Sequence, residues 1–165
     1  MTATELLDLL REFHREKEAM RQRHIAVARH VSHYEFNNTY QYIINREDGH
    51  VRWLYDAIVD LGGTAEDSPV PDVKPSGKGD EAVMRLIAED RDQAQAFVDR
   101  WRDRIEAMPN ARHRTMLRLM LGETLEQKRF FDLALAGRTD LLGRRADGAG
   151  TGGGVMPTRW VGGKA

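Results

Sequence analysis

The chain contains no cysteine in its 165 residues. Disulfides, thiolate zinc sites, iron–sulfur clusters and a cysteine nucleophile are therefore excluded. It also lacks long hydrophobic runs, since no apolar stretch approaches the roughly 20 residues needed to cross a bilayer. The first ten residues carry Glu5 and Asp8 and show neither the basic start nor the apolar stretch of a signal peptide. A cytoplasmic protein without a membrane partner is expected. Charge of one sign is missing as well: 25 Lys and Arg balance 26 Asp and Glu, for a net charge of −1. Such a chain has no global field to attract nucleic acid. There is no Ser-His-Asp order, no Gly-rich phosphate loop and no basic patch with interleaved aromatics.

What is present is helical periodicity, from Thr2 to Gly137. It predicts four long helices, over about Ala3–His30, His33–Leu61, Asp80–Ala107 and Ala111–Ala136. Thr2 with Glu5, and Ser32 with Glu35, have the spacing of a capping box. Asn110 is suited to cap the fourth helix. Gly62 with Gly63, and Gly137, are stop signals. The only long internal connection is the Gly-, Pro-, Asp- and Ser-rich segment Gly62–Gly79. If extended, it is long enough to run the length of a helix. Two short turns and one long link predict two antiparallel hairpins joined by a crossover, the ferritin-like bundle topology rather than simple up-and-down. The bundle is expected over residues 1–145 and a flexible Gly-rich tail over 146–165.

Each predicted apolar stripe carries an acid near its middle. On the first helix Glu16 lies between Phe13 and Met20, and Glu18 is expected to point away. On the second, Glu47 is central with His50 three residues on. On the third it is Asp90 with Gln93 beside it, and on the fourth Glu123 with Glu126 beside it. Residues at i and i+3 share a helix face. One buried acid has a plain explanation in a local ion pair. Four at matching heights require compensation, because an unpaired buried carboxylate costs several kcal/mol. No Lys or Arg is expected on these stripes to neutralise them all. Metal cations would, and oxygen ligands with one imidazole suit iron or manganese.

Glu47-Asp48-Gly49-His50 fits Glu-x-x-His, and Glu123-Thr124-Leu125-Glu126, followed by Gln127-Lys128-Arg129-Phe130, fits the corresponding stretch of a fourth helix. Over about Leu6–Leu135 the chain resembles the ferritin-like di-metal carboxylate superfamily, most of all the di-iron domain of rubrerythrins. The resemblance implies two iron ions, with manganese as the alternative. Glu16 and Asp90 would be the lone carboxylates, Glu47 and Glu123 the bridges, and His50 a terminal ligand. Glu126 stands where the family has its second histidine, and Asp90 where it has a longer Glu. Without cysteine, the Cys-ligated iron domain of rubrerythrins has no counterpart.

Two functions follow as expectations. The first is an oxidase- or ferroxidase-type enzyme whose irons react with O₂ or peroxide. The second is a metal-free binding or structural module, with the work done by the outer surface or the tail. Val155–Val161, with Trp160, would be a docking peptide, laid out like a cargo-loading tail although its residues do not match the usual cargo motif. Trp53 and Leu125 are expected on a homodimer surface. Of the remaining histidines, His24 is expected to be a satisfied core residue, and His30 and His33 to sit at a hydrated helix end.

Overall fold

Helix α1 spans Ala3–Ala28, α2 Tyr34–Asp60, α3 Gly79–Glu106 and α4 Ala111–Leu135 in the computed structural model, which describes residues 1–142. Among the described residues there is no strand, and no helix is long and apolar enough to cross a membrane. The expected tail, including Trp160, lies outside the described residues.

The helix ends follow local chemistry. Thr2 accepts from the Glu5 amide while the Glu5 carboxylate accepts from the Thr2 amide, closing the capping box. Asn110 Oδ1 accepts from the His113 amide at 3.0 Å. Gly62 and Gly137 stop α2 and α4 at φ of +76° and +82°, backbone that a side chain disfavours. The second expected capping box is corrected: His33, not Ser32, caps α2, its ring nitrogen facing the Phe36 amide at 3.5 Å. The chain break after Val31 falls one residue later than the Ser-x-x-Glu pattern implies.

Side-chain contacts fix the helix directions. Along α1, Glu12 meets Arg104 and Arg23 meets Glu89, so α3 runs antiparallel to α1. Lys17 meets Thr124 and His24 meets Phe131, so α4 runs parallel to it. Tyr42 meets Phe130 and Arg46 meets Glu123, so α2 and α4 are antiparallel. The link between α2 and α3 begins near the start of α1, where Arg11 Nε donates to the Thr64 carbonyl at 3.1 Å. It reaches the far end, where His30 Nε2 lies 2.8 Å from the Val73 carbonyl. It is therefore a crossover lying along α1.

The core falls into two apolar clusters. One gathers Leu10, Phe13, Leu54, Ile58, Phe97, Trp101 and Leu117 where α1 and α4 begin and α2 and α3 end. The other gathers Val27, Tyr40, Ile43, Ile87, Phe130 and Phe131 at the opposite end. Each fully buried large apolar side chain contributes about 1.5–3 kcal/mol. Between the clusters lies a layer of buried polar side chains, and this layer is the candidate site.

Candidate functional site

The layer is built by four helices at one height. Helix α1 contributes Lys17 and His24, α2 Glu47 and His50, α3 Asp90, and α4 Thr124 and Gln127; all are at most 3% exposed. Its centre is an ion pair. Lys17 Nζ donates to Glu47 Oε1 at 3.2 Å and to Thr124 Oγ1 at 3.1 Å, and the Thr124 hydroxyl donates in turn to the Met120 carbonyl at 2.8 Å. His24 Nδ1 lies 2.8 Å from the other Glu47 oxygen, Oε2. Both carboxylate oxygens are thus occupied. Burial alone would raise the Glu47 pKa, but His24 and Lys17 hold it down at about 2. Conversely, burial disfavours charge on His24, yet the facing Glu47 carboxylate lifts its pKa above 6.5. The Lys17 ammonium also lies 5.7 Å from the centre of the Phe97 ring, within cation–π range.

Two further acids are compensated in the same way. Asp90 accepts from the Tyr40 hydroxyl at 2.5 Å and from Arg23 Nε at 2.6 Å, with Arg23 reaching out to Glu89 at 2.7 Å. Burial and the Asp90 charge together push the Tyr40 hydroxyl well above its usual pKa, so it is a fixed donor. Glu123 is held between Arg46 and His50 Nε2. Burial and then the Lys17 charge lower the His50 pKa. A neutral His50 donating through Nε2 leaves Nδ1 as a bare lone pair, and this atom is buried with no partner among the described residues.

Of the six residues proposed from the sequence as metal ligands, Glu47, His50, Asp90 and Glu123 line the interior. Glu16 does not join them. Its carboxylate turns to the edge of α3, taking Trp101 Nε1 at 3.2 Å and Arg100 at 2.8 Å. Glu126 is exposed, as is Gln93. Among the described residues no group of three or more His, Cys, Asp or Glu side chains is arranged to hold a metal ion. The donor set as placed does not fit a two-metal centre. The inward carboxylates Glu47, Asp90 and Glu123 are already paired with Lys17, Arg23 and Arg46.

Sequence reasoning missed Lys17 and Arg23, and the expectation that no Lys or Arg on these stripes neutralises the acids is corrected: Lys17 is buried against Glu47 and Arg23 reaches Asp90. The expected α1 stripe of Leu6, Leu9, Phe13, Met20, Val27 and Val31 is buried, but the polar residue that completes it is Lys17 and not Glu16. Lys17 is four residues after Phe13 and three before Met20, and the spacing Phe13, Lys17, Met20, His24, Val27 is the unbroken helical repeat. Glu16 sits one step off that repeat. Glu18, expected to point away, is only 2% exposed and is held by Arg21 and Gln22 of its own helix. The signal was present, but hydropathy assigns a lysine to the surface. His24 is a satisfied core histidine, as its position on the stripe implies.

Searches against family models, curated proteins and solved structures find no match for this chain. The fold and site define a class by themselves: an all-helical four-helix bundle with a charged interior layer.

Proposed function

We propose that this chain is a ferritin-like bundle that works as a metal-independent binding or structural module, its interior acids neutralised by its own side chains. The crossover lying along α1, with α1 and α4 parallel, supports the ferritin-like assignment. The observation that carries the metal-independent reading is Lys17. A fully buried ammonium 3.2 Å from Glu47 supplies the positive charge that a metal would otherwise bring. The bundle then presents its outer faces for recognition. Trp53 and Tyr42 on α2 and Leu119 and Leu125 on α4 are exposed, and they support association of two copies.

A second reading has one specific observation in its favour. His50 Nδ1 is a buried, unpartnered acceptor of the kind a metal takes. In that reading two irons, or manganese ions, are held by the interior acids and meet O₂ or peroxide, and Lys17, Arg23 and Arg46 must leave their carboxylates. The two readings separate on metal content after anaerobic Fe(II) addition to the full chain. The module reading expects no stoichiometric iron and a melting temperature indifferent to chelator. Two irons per chain, lost in Glu47→Ala/His50→Ala, would overturn it and establish the di-iron centre.

A further inference from the structure

A cleft of about 520 Å³ opens between α1 and α2 on the outer side of the bundle, away from the interior layer. That volume lies in the range of small-molecule sites. Its floor is α1. Glu18 and Gln22, 2% and 9% exposed, lie one turn apart and are joined by a bond from Gln22 Nε2 to Glu18 Oε1 at 2.6 Å. This bond turns the other end of each group loose. Glu18 Oε2 and Gln22 Oε1 are buried and accept no hydrogen bond among the described residues. Two orphaned acceptors side by side in one cleft are costly, at about 1–3 kcal/mol each. Both residues line the cleft, and both oxygens lack an N–H or O–H donor among the described residues.

The surroundings specify the charge of that donor. Asp48 and Asp56 on α2 and Asp67 on the link also line the cleft, so with Glu18 it holds four carboxylates against the two guanidiniums of Arg21 and Arg52. Arg21 is already engaged by Glu18 and Asp48. Asp56 and Asp67 form no ion pair among the described residues and leave a negative mouth. Tyr55 and Val51 add an aromatic and an aliphatic wall, suited to the carbon skeleton and cationic head of an organic ligand. A metal ion is the poorer fit, since no trio of metal-ligating side chains converges there.

From these observations we infer that the α1–α2 cleft is a binding site for a small organic cation, a short alkyl diamine or guanidino-amine. Its nitrogen donates to Glu18 Oε2 and Gln22 Oε1, and its second cationic end lies toward Asp56 and Asp67. The site stands outside the interior layer and does not depend on what that layer binds.

The test is calorimetric titration of the full chain with putrescine and with agmatine, repeated on Glu18→Gln, Asp67→Asn and the remote Glu126→Gln. Saturable one-site binding is expected in the unaltered chain. Loss of a charge-assisted bond should weaken it about tenfold or more in Glu18→Gln. Asp67→Asn, at an exposed link position that carries no core packing, should weaken it severalfold with the fold intact. Glu126→Gln should bind as the unaltered chain does. No saturable binding of either probe up to about 10 mM would overturn the inference. So would affinity unchanged in both Glu18→Gln and Asp67→Asn, or lost equally in Glu126→Gln.

Discussion

The interior layer and the apolar cluster around Trp101 lie on the same four helices and are equally shut off from water, yet they are held together differently. Around Trp101 the contacts are ring against ring and ring against aliphatic: Phe13 meets Trp101 at 4.9 Å and Phe97 at 5.1 Å between centroids, both edge-on. Such contacts are individually weak, and each neighbour can be replaced by another apolar group of similar volume. In the layer, Glu47 depends on two particular partners, Lys17 and His24, and neither has a substitute nearby. The apolar end therefore supplies stability with little demand on identity. The layer contributes little net stability but penalises any arrangement that separates its charges. The difference teaches that equal burial does not mean equal tolerance.

The strongest break of this comparison is Lys17→Met. It strands a buried carboxylate with one partner and should lower unfolding free energy by about 4 kcal/mol in urea denaturation. Adding Glu47→Gln should restore most of that loss, because the amide needs no counter-charge and still reaches His24. At the apolar end Leu54→Ala, on a fully buried residue, should lose about 3 kcal/mol through the cavity it leaves. No partner substitution of the Glu47→Gln kind should recover it. If the paired charge change gives no recovery, Lys17 and Glu47 are not a coupled unit.

The pH dependence of the melting temperature sharpens the contrast. Glu47 falls from its ordinary 4.5 to about 2 on folding. Its contribution is intact above pH 4.5 and is lost as pH falls from there toward 2. His24 is shifted the other way, above 6.5. Its contribution is complete below pH 6.5 and is lost as pH rises through its folded value. Stability from the layer therefore peaks between pH 4.5 and 6.5 and declines on both sides. Leu54→Ala should lower that curve without changing its shape, and Glu47→Gln should flatten both limbs. Circular dichroism melts across the range decide it.

The smallest expected effect concerns the outer face of the same layer. Gly49 and Gly122 sit inside α2 and α4, and a Cβ added at either meets nothing within 4 Å. Each change to Ala should stabilise the single chain by about 0.5–1 kcal/mol through helix propensity. A loss of stability that depends on protein concentration would instead mean that a second copy packs over these glycines, placing the dimer surface beside Trp53 and Leu119.

The architecture was legible because it rests on short-range rules. The periodicity, the Thr2 and Asn110 caps, the Gly62 stop and the length of the link each act within a few residues, and the helix ends fall within two residues of the expected ones. That Glu47, His50 and Asp90 face inward was legible for the same reason. Their helices carry apolar residues on either side of them at helical spacing, and a rigid helix carries an acid inward with its neighbours.

What the sequence alone determined, then, is four amphipathic helices, two hairpins, one crossover and acids drawn into the interior. Which groups would neutralise those acids was decided only by tertiary structure. Lys17 is separated from Glu47 by 30 positions and from Thr124 by 107, and Arg23 is separated from Asp90 by 67. No local rule relates such residues. Lys17 reads as a surface residue until packing of α1 against α2 and α4 closes water off from it, and only then does its charge become the partner that Glu47 requires.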